Sequence, residues 1–255
     1  MEFIDTHTHL YLEQFDDDRD QAVDRALKAK VNRLLLPNVD SRTIAAMMEV
    51  ARSHPGVCLP MMGLHPTSVK NGYEAELELV EDLFEREAFI AVGETGLDLY
   101  WDKTHLEEQI LALRKQAALA LKYDIPLVLH SRKSLNELFG VLREFKGSAL
   151  KGVFHCFPGN VPDAEKAIDL GFLLGIGGVV TYKNSTMAKV VEAVGLEHLV
   201  LETDAPYLPP VPYRGKRNEP SYIPVIAKTL AEITKRPTAE VASITTGNAK
   251  KLFNL

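Results

Sequence analysis

Eight short apolar segments recur along the chain at a spacing of roughly thirty residues. Each alternates little between apolar and polar residues, which is typical of a parallel strand that is covered on both faces. The segments are 3–4, 33–36, 59–63, 89–93, 125–129, 150–154, 172–176 and 199–202. Apolar residues with helical spacing lie between and after them, at 20–27, 74–87, 106–123, 134–145, 161–170, 187–194, 222–234 and 238–246.

This alternation of strand and helix predicts an α/β fold of the (β/α)8 TIM-type barrel class. A doubly wound open sheet is the alternative, but no glycine-rich dinucleotide turn follows the first strand. No linker-like or low-complexity stretch divides the chain, so we expect residues 1–255 to form a single hydrolase barrel domain. The segment 205–221 contains five prolines, and so long an irregular loop is usually functional or disordered.

Composition and charge exclude several classes of protein. With 46% hydrophobic and 25% charged residues, this is an ordinary globular chain. Its net charge of -6 disfavours a globally basic nucleic-acid binder, although a local basic patch could hold phosphate. The two cysteines, Cys58 and Cys156, imply no disulfide framework, so we expect a reducing, cytoplasmic compartment. We expect neither a signal peptide nor a membrane-spanning segment, and no obligate protein partner is evident.

Potential metal ligands are concentrated where the predicted strands end. Five of the eight histidines lie at such positions, although strand ends are a small fraction of the chain. His7 and His9 follow the first strand, and the two-residue period of a strand would put them on the same side as Asp5. Because the active site of such a barrel lies at the carboxyl ends of its strands, we expect the ligand-type side chains there to converge. These side chains are His7, His9, His65, Glu94, His130, His155 and Asp204.

Six of these side chains form the predicted metal-binding set: His7, His9, Glu94, His130, His155 and Asp204. Imidazole and carboxylate without thiolate suit Zn²⁺ or Mn²⁺, and suit Mg²⁺ less well because it prefers oxygen. Six ligands exceed what one four-coordinate ion with an open position needs, so we expect two divalent ions with a bridging carboxylate. Glu94 is the natural bridge, since its strand lies between the two histidine pairs around the barrel. The alternative is a set of hydrogen-bonded polar residues in the barrel mouth.

At these residues the chain closely resembles the TatD-like family of metal-dependent deoxyribonucleases, within the amidohydrolase superfamily. The matching stretches are Asp5-Thr6-His7-Thr8-His9, Gly63-Leu64-His65-Pro66, Gly93-Glu94-Thr95-Gly96-Leu97-Asp98, His155-Cys156-Phe157, Glu202-Thr203-Asp204-Ala205-Pro206-Tyr207, Arg214-Gly215-Lys216-Arg217-Asn218-Glu219-Pro220 and Asn248-Ala249-Lys250-Lys251-Leu252-Phe253. The resemblance runs from end to end, with Pro158 a mild departure where a serine is expected. It implies a TIM-type barrel, one or two divalent ions held by the six ligands, and hydrolysis of phosphodiester bonds in DNA.

Three of the strand-end residues are candidates for catalysis. Asp204 can act both as a ligand and as the general base that takes a proton from water. Glu202 shares the strand parity of Asp204 and could orient a ligand from beneath, or it could be an ordinary core or surface carboxylate. His65 has no place in the six-residue set, so we expect it to contact phosphate or the leaving group rather than a metal.

Candidate substrate-binding residues lie in two loops that follow strands. Arg214, Lys216 and Arg217 lie on the active-site side and could hold phosphate, or they could form a solvated basic loop. Tyr100 and Trp101 could stack on a base, or they could pack on a neighbouring loop.

These observations predict a metal-dependent hydrolase, a deoxyribonuclease that acts on DNA strand ends with a metal-activated water. One alternative keeps the barrel and its ions but changes the substrate to a small ester, lactone or amide. A second is a non-catalytic, metal-dependent nucleic-acid-binding protein, against which the presence of Asp204 argues.

Overall fold

The computed structural model describes residues 1–100 and 102–255, in which strands and helices alternate along the chain. The strands are β1 (Phe3–Asp5), β2 (Val31–Pro37), β3 (Cys58–Met61), β4 (Val92–Asp98), β5 (Leu127–Arg132), β6 (Gly152–Phe154), β7 (Phe172–Ile176) and β8 (Leu199–Leu201). The α-helices are α1 (Arg19–Lys28), α2 (Ser41–Ser53), α3 (Tyr73–Phe84), α4 (Leu106–Tyr123), α5 (Leu135–Arg143), α6 (Val161–Asp169), α7 (Met187–Val194), α8 (Ile223–Thr234) and α9 (Thr238–Phe253). Among the described residues, none of the helices combines the length and apolar character needed to cross a bilayer.

Among the residues that the structure describes, every strand pairing is parallel and joins strands that are consecutive along the chain. Regular hydrogen-bonded pairing forms two sheets, one of strands β1, β2 and β3 and the other of strands β4, β5, β6, β7 and β8. The two sheets meet at two seams, where the pairing is irregular. One seam is crossed by the parallel bridge between Thr8 and Ala205, and the other by the bridge between Met62 and Val92. The predicted TIM-type (β/α)8 class is therefore confirmed, with looser pairing at the two seams.

The apolar core has two layers because successive residues of a strand face opposite sides of the sheet. In β2, Leu34 and Leu36 pack outward in the cluster that includes the surrounding helices, while Leu35 packs in the barrel interior. Leu252 and Phe253 of α9 join that interior cluster. Helix α9 therefore covers the amino-terminal end of the barrel and leaves the carboxyl ends of the strands to the polar site.

Three predicted elements have the bounds expected, namely 106–123, 172–176 and 187–194. Helix α2 was not predicted, and it begins at a capping box formed by Asp40 and Thr43. The observed strand β4 begins and ends later than the predicted strand 89–93. It runs from Val92 to Asp98, and all seven of its residues are buried. This displacement places Glu94 inside a strand rather than after one.

Candidate metal centre

The carboxyl ends of the strands bring five imidazoles and two carboxylates into three overlapping groups that could hold an ion. Most of these side chains lie in the loops immediately after strands, where the parallel backbone ends and side chains can turn over the barrel mouth. Glu94 and His130 project from β4 and β5 themselves. The groups are His7, His155 and Asp204; His7, His9 and Glu94; and His65, Glu94 and His130.

The first candidate ion position lies among His7, His9, Glu94 and Asp204. His7 Nε2 is 3.1 Å from Glu94 Oε2 and 3.9 Å from Asp204 Oδ1. His9 Nε2 is 3.6 Å from each of the same oxygens and 3.3 Å from His7 Nε2. Ligand atoms about 2.0–2.1 Å from a tetrahedral Zn²⁺ are ~3.3 Å apart, so these separations fit one divalent ion at the centre of the group.

The second candidate position lies on the other side of the Glu94 carboxylate. Glu94 Oε1 is 2.9 Å from His130 Nδ1, 3.4 Å from His65 Nε2 and 3.7 Å from His155 Nε2. Each oxygen of Glu94 thus faces a different group of imidazoles, which is the arrangement of a bridging carboxylate. His65, for which the sequence suggested a phosphate contact, lies within reach of this second position and could also serve as a ligand.

Burial and neighbouring charge shift the pKa values of the cluster in opposite directions. Burial lowers the pKa of His9 to about 4 and that of His7 well below its usual value, which favours the neutral, ligating form of both rings. Burial raises the pKa of Asp204 to about 7. For His155, burial alone would lower the pKa, but Glu202, Glu94 and Asp204 raise it to about 10. A proton on His155 therefore occupies a place where a cation would also be stabilised.

Two residues that were not predicted hold ligand rings from behind. Asp98 Oδ2 is 3.0 Å from His130 Nε2, which leaves Nδ1 to face Glu94. The Tyr11 hydroxyl is 2.9 Å from His9 Nδ1 and donates to the Pro37 carbonyl at 2.6 Å. Such contacts fix the orientation of a ligating imidazole. Residue parity was the available signal for Asp98, which shares the parity of Glu94 within β4, whereas Tyr11 lies in the loop after β1, where parity carries no information.

Glu202 lies beneath His155, where a residue that orients this ring would be expected. Its Oε1 is 3.1 Å from His155 Nδ1 and accepts a hydrogen bond from the Cys156 backbone N–H at 2.6 Å. A Cβ atom at Gly175 would collide with Oε2 of Glu202, so the glycine provides the space for this buried carboxylate.

Asp5 does not join the cluster, although alternation along the strand suggested a shared side with His7. Strand β1 ends at Asp5, so the alternation does not continue into the following loop. Its carboxylate accepts hydrogen bonds from the backbone and hydroxyl of Thr203, at 2.9 Å and 2.5 Å. Asp5 therefore ties the loop after β1 to the segment that carries Asp204.

Asn218 braces the same segment from the proline-containing loop. Its side-chain amide donates to the carbonyls of Thr203 at 2.7 Å and Tyr207 at 2.6 Å. The two carbonyls flank Asp204, whose backbone is left-handed at φ 55°. In the sequence this asparagine is one residue of the 214–220 motif, which does not by itself indicate a role for it.

The three basic residues predicted to bind substrate have different surroundings. Arg217 is committed to Asp18 of the loop before α1, at 2.6 Å and 2.9 Å, because the folded chain brings this carboxylate against it. Arg214 is exposed and lies over the ring of Tyr182, 4.5 Å from its centroid. Lys216 is exposed. Arg214 and Lys216 are accessible to a polyanion, whereas Arg217 has a structural partner.

Tyr100, one of the two residues predicted to stack on a base, is 46% exposed and lies two residues after the end of β4. Trp101 lies outside the described residues.

A barrel with imidazoles and carboxylates gathered at the carboxyl ends of its strands defines the class of the protein as a metal-dependent hydrolase. The family model described as TatD related DNase matches residues 4–254. The chain belongs to this family.

Comparisons with individual proteins agree on the same class. A protein of Bacillus subtilis (strain 168) named uncharacterized metal-dependent hydrolase YabD is 38% identical over 253 residues, which cover 99% of each chain. The 3'-5' ssDNA/RNA exonuclease TatD of Erwinia tasmaniensis is 30% identical over 258 residues, covering 99% of this chain and 100% of that protein. The crystal structure of YjjV, a TatD homologue from Escherichia coli K12, superposes with a TM-score of 0.91 at 33% identity, covering 99% of this chain and 98% of that one.

Proposed function

We propose that this protein is a deoxyribonuclease that hydrolyses phosphodiester bonds at DNA strand ends, with two divalent ions as cofactors. The observation that carries the proposal is the position of Glu94, whose two oxygens face two separate groups of imidazoles. Two ions about 3.5–4 Å apart, joined by a carboxylate, are a recurrent arrangement for phosphoryl transfer. The name of the Erwinia relative, a 3'-5' exonuclease of single-stranded DNA and RNA, supports the same substrate class.

The proposed ligands are His7, His9, Glu94, His130, His155 and Asp204, with His65 as a further ligand or a phosphate contact. Nitrogen donors favour Zn²⁺ or Mn²⁺ over Mg²⁺ at such positions. When bound, the ions supply Lewis acidity, which polarises a phosphoryl oxygen and lowers the pKa of water. The protein's contribution is to hold the donor atoms at fixed separations, which Asp98, Tyr11 and Glu202 do from behind.

Asp204 is the proposed general base. Its side chain is 14% exposed, more than that of Glu94 at 2%, so it faces the mouth from which substrate would enter. Burial raises the pKa of Asp204 to about 7, and a cation bound beside it would lower that pKa and keep the carboxylate ionised, in the form that can accept a proton. Oδ1, which faces the imidazoles, would serve as the ligand atom, and the other oxygen of this carboxylate would take the proton of the attacking water and pass it to the leaving oxygen. Glu202 acts through His155 and is proposed as a positioning residue.

The experiment is a substrate comparison with metal-free protein reconstituted separately with Zn²⁺, Mn²⁺ and Mg²⁺. Labelled single-stranded DNA, double-stranded DNA, RNA, a lactone, an ester and an amide are offered under the same conditions. The proposal predicts metal-dependent release of nucleotides from a DNA end. Cleavage of the ester, lactone or amide with intact DNA would instead support a small-molecule hydrolase. Metal-dependent DNA binding without cleavage of any substrate would support a non-catalytic binding protein.

A cytoplasmic location is part of the same proposal. Both cysteines, Cys58 and Cys156, carry free thiols, and free thiols are the usual state in a reducing compartment. DNA is the proposed partner, as the substrate.

A further inference from the structure

Two cationic side chains lie over one aromatic ring at the carboxyl end of β5. The guanidinium carbon of Arg132 is 3.9 Å from the centroid of the Tyr100 ring, and Nζ of Lys133 is 4.9 Å from it. Both cations are exposed, and Tyr100 is 46% exposed. An aromatic face attracts and orients cations within about 6 Å of its centroid. The ring thus gathers two positive charges at the surface of a protein whose net charge is -6.

This cation pair is connected to the candidate metal centre by short contacts. The Tyr100 backbone N–H donates to Asp98 Oδ1 at 2.9 Å, and Asp98 Oδ2 is 3.0 Å from His130 Nε2. Arg132 is two residues beyond His130 on the same strand, so both side chains leave β5 on the same face. The Leu99 N–H donates to the Arg132 carbonyl at 2.9 Å and fixes the two loops to each other. The cations therefore have a defined position beside the metal centre.

The backbone turns immediately after β5. Lys133 has a φ of 56°, in the left-handed region that residues with a Cβ rarely adopt. This turn directs the Lys133 ammonium group toward the Tyr100 ring, on which the Arg132 guanidinium also lies.

We infer that Arg132 and Lys133 form a phosphate subsite, held by Tyr100, that binds the phosphodiester next to the one being cleaved. Guanidinium and ammonium groups bind phosphate oxygens through charge-assisted hydrogen bonds, and a guanidinium can do so with two parallel bonds. The preferred substrate would then carry at least two consecutive phosphates, as an oligonucleotide does and a simple phosphodiester does not. This inference rests on the proposed function, because it assigns a substrate requirement to the same site.

The test compares the double variant Arg132→Gln/Lys133→Gln with a control that removes two charges elsewhere. The control is Lys122→Gln/Arg143→Gln, at the last turns of α4 and α5, where both residues are exposed. Lys122 also lies over an aromatic ring, 5.2 Å from the centroid of Tyr123, so the control includes a second cation–aromatic pair. Both variants change the net charge equally, and only the first changes the proposed subsite.

The first measurement is binding of a fluorescent, single-stranded phosphorothioate oligonucleotide between 50 and 200 mM salt. The subsite variant should bind roughly tenfold more weakly or worse, the loss expected from removed contacts to a charged group. The slope of log affinity against log salt should become shallower by about 0.7 for each lost phosphate contact. The control variant should match the wild type in both quantities.

The second measurement is the ratio of kcat/KM for an oligonucleotide to kcat/KM for bis(4-nitrophenyl) phosphate, which has a single phosphate. This ratio should fall roughly tenfold or more in the subsite variant and stay at the wild-type value in the control. An equal loss on both substrates would overturn the subsite, because the residues would then act on the metal centre through His130. Affinity, salt slope and ratio all equal to the control would overturn it as well.

Failure of the proposed function is distinguishable from failure of the subsite. If metal-loaded wild-type protein cleaves neither substrate, the nuclease proposal is wrong, and the binding measurement still decides the subsite. In that case, weaker binding by the subsite variant than by the control supports the anion site, and equal binding overturns it.

Discussion

Glu94→Gln is the substitution that most directly tests a two-ion centre. The glutamine keeps the size of the side chain and one of its oxygens, but it replaces the other oxygen with an amide NH₂, which donates hydrogen bonds and does not ligate. Glu94 Oε2 faces His7 at 3.1 Å, and Oε1 faces His130 at 2.9 Å. Whichever way the amide turns, one of the two positions loses its shared ligand. We therefore expect the variant to hold one ion per chain, against the two proposed for the wild type.

The size of the effect follows from the loss of a charged ligand in a buried site. Burial alone would raise the pKa of Glu94, but His65, His7 and His155 hold it well below its usual value, so the carboxylate is ionised. A contact to a charged group contributes about 1.5–3 kcal/mol, which corresponds to roughly ten- to hundredfold in affinity for the weakened ion. Loss of one group that stabilises the transition state lowers turnover by roughly 10²–10³-fold.

The assay is metal content per chain after equilibration with limiting Zn²⁺ or Mn²⁺, measured beside the rate of oligonucleotide hydrolysis. Glu94→Asp distinguishes the effect of the negative charge from the effect of side-chain length. It keeps the carboxylate but shortens the side chain by about 1.5 Å, so that the two oxygens no longer reach both groups of imidazoles. Glu165→Gln, an exposed carboxylate on α6, is the control for loss of one charge. A Glu94→Gln protein with two ions per chain and wild-type turnover would refute the bridging role.

Three further predictions concern other parts of the site and its supports. Asp204→Asn should keep most of its substrate affinity while turnover falls by roughly 10²–10⁴-fold; equal turnover at equal metal content would exclude Asp204 as the base. Arg214→Ala/Lys216→Ala should weaken DNA binding and flatten its salt dependence, with little change in the turnover of bound DNA; an unchanged salt slope would leave these residues as solvated surface. Asp18→Asn should lower the free energy of unfolding by about 1 kcal/mol at pH 7. Hydrogen bonds from Arg217 and Arg25 lower the pKa of Asp18 from 3.8 to about 2. The difference in unfolding free energy between the wild type and Asp18→Asn should therefore disappear as the pH falls from 4 to 2, and a difference in thermal unfolding that does not change with pH would contradict this pairing.

The barrel was predictable because parallel strands covered on both faces leave apolar runs, and the helices between them leave a 3.6-residue pattern. Helix α4 has the bounds that this pattern predicts. Helix α2 was missed because it buries only a narrow apolar face, formed by Met47, Met48 and Val50. The capping box at Asp40 and Thr43 was its clearer signal.

Strand β4 shows why the site and its strand are difficult to predict together. The stretch 93–98 contains glycine, carboxylate and threonine residues, which an apolar strand pattern does not include. These polar residues are buried in the strand because Glu94 is surrounded by imidazoles and Asp98 contacts His130. Functional sites are where local sequence preference and the folded structure disagree most often. The ligand types at strand ends nevertheless identified the seven side chains that the fold brings together.

The partners of charged residues could not be predicted, because they depend on which distant segments pack against each other. Arg217 was a reasonable phosphate ligand from its place in a loop on the active-site side, but the fold puts it against Asp18, almost 200 positions earlier in the chain. Arg132 ends β5 and Lys133 follows it, without any distinctive sequence pattern, and only the loop after β4 places Tyr100 against both cations. A loop cation in an acidic barrel protein is therefore available to a polyanion only where the fold leaves it without a neighbouring carboxylate. That condition removes Arg217 from the predicted substrate-binding surface and leaves Arg214 and Lys216 on it.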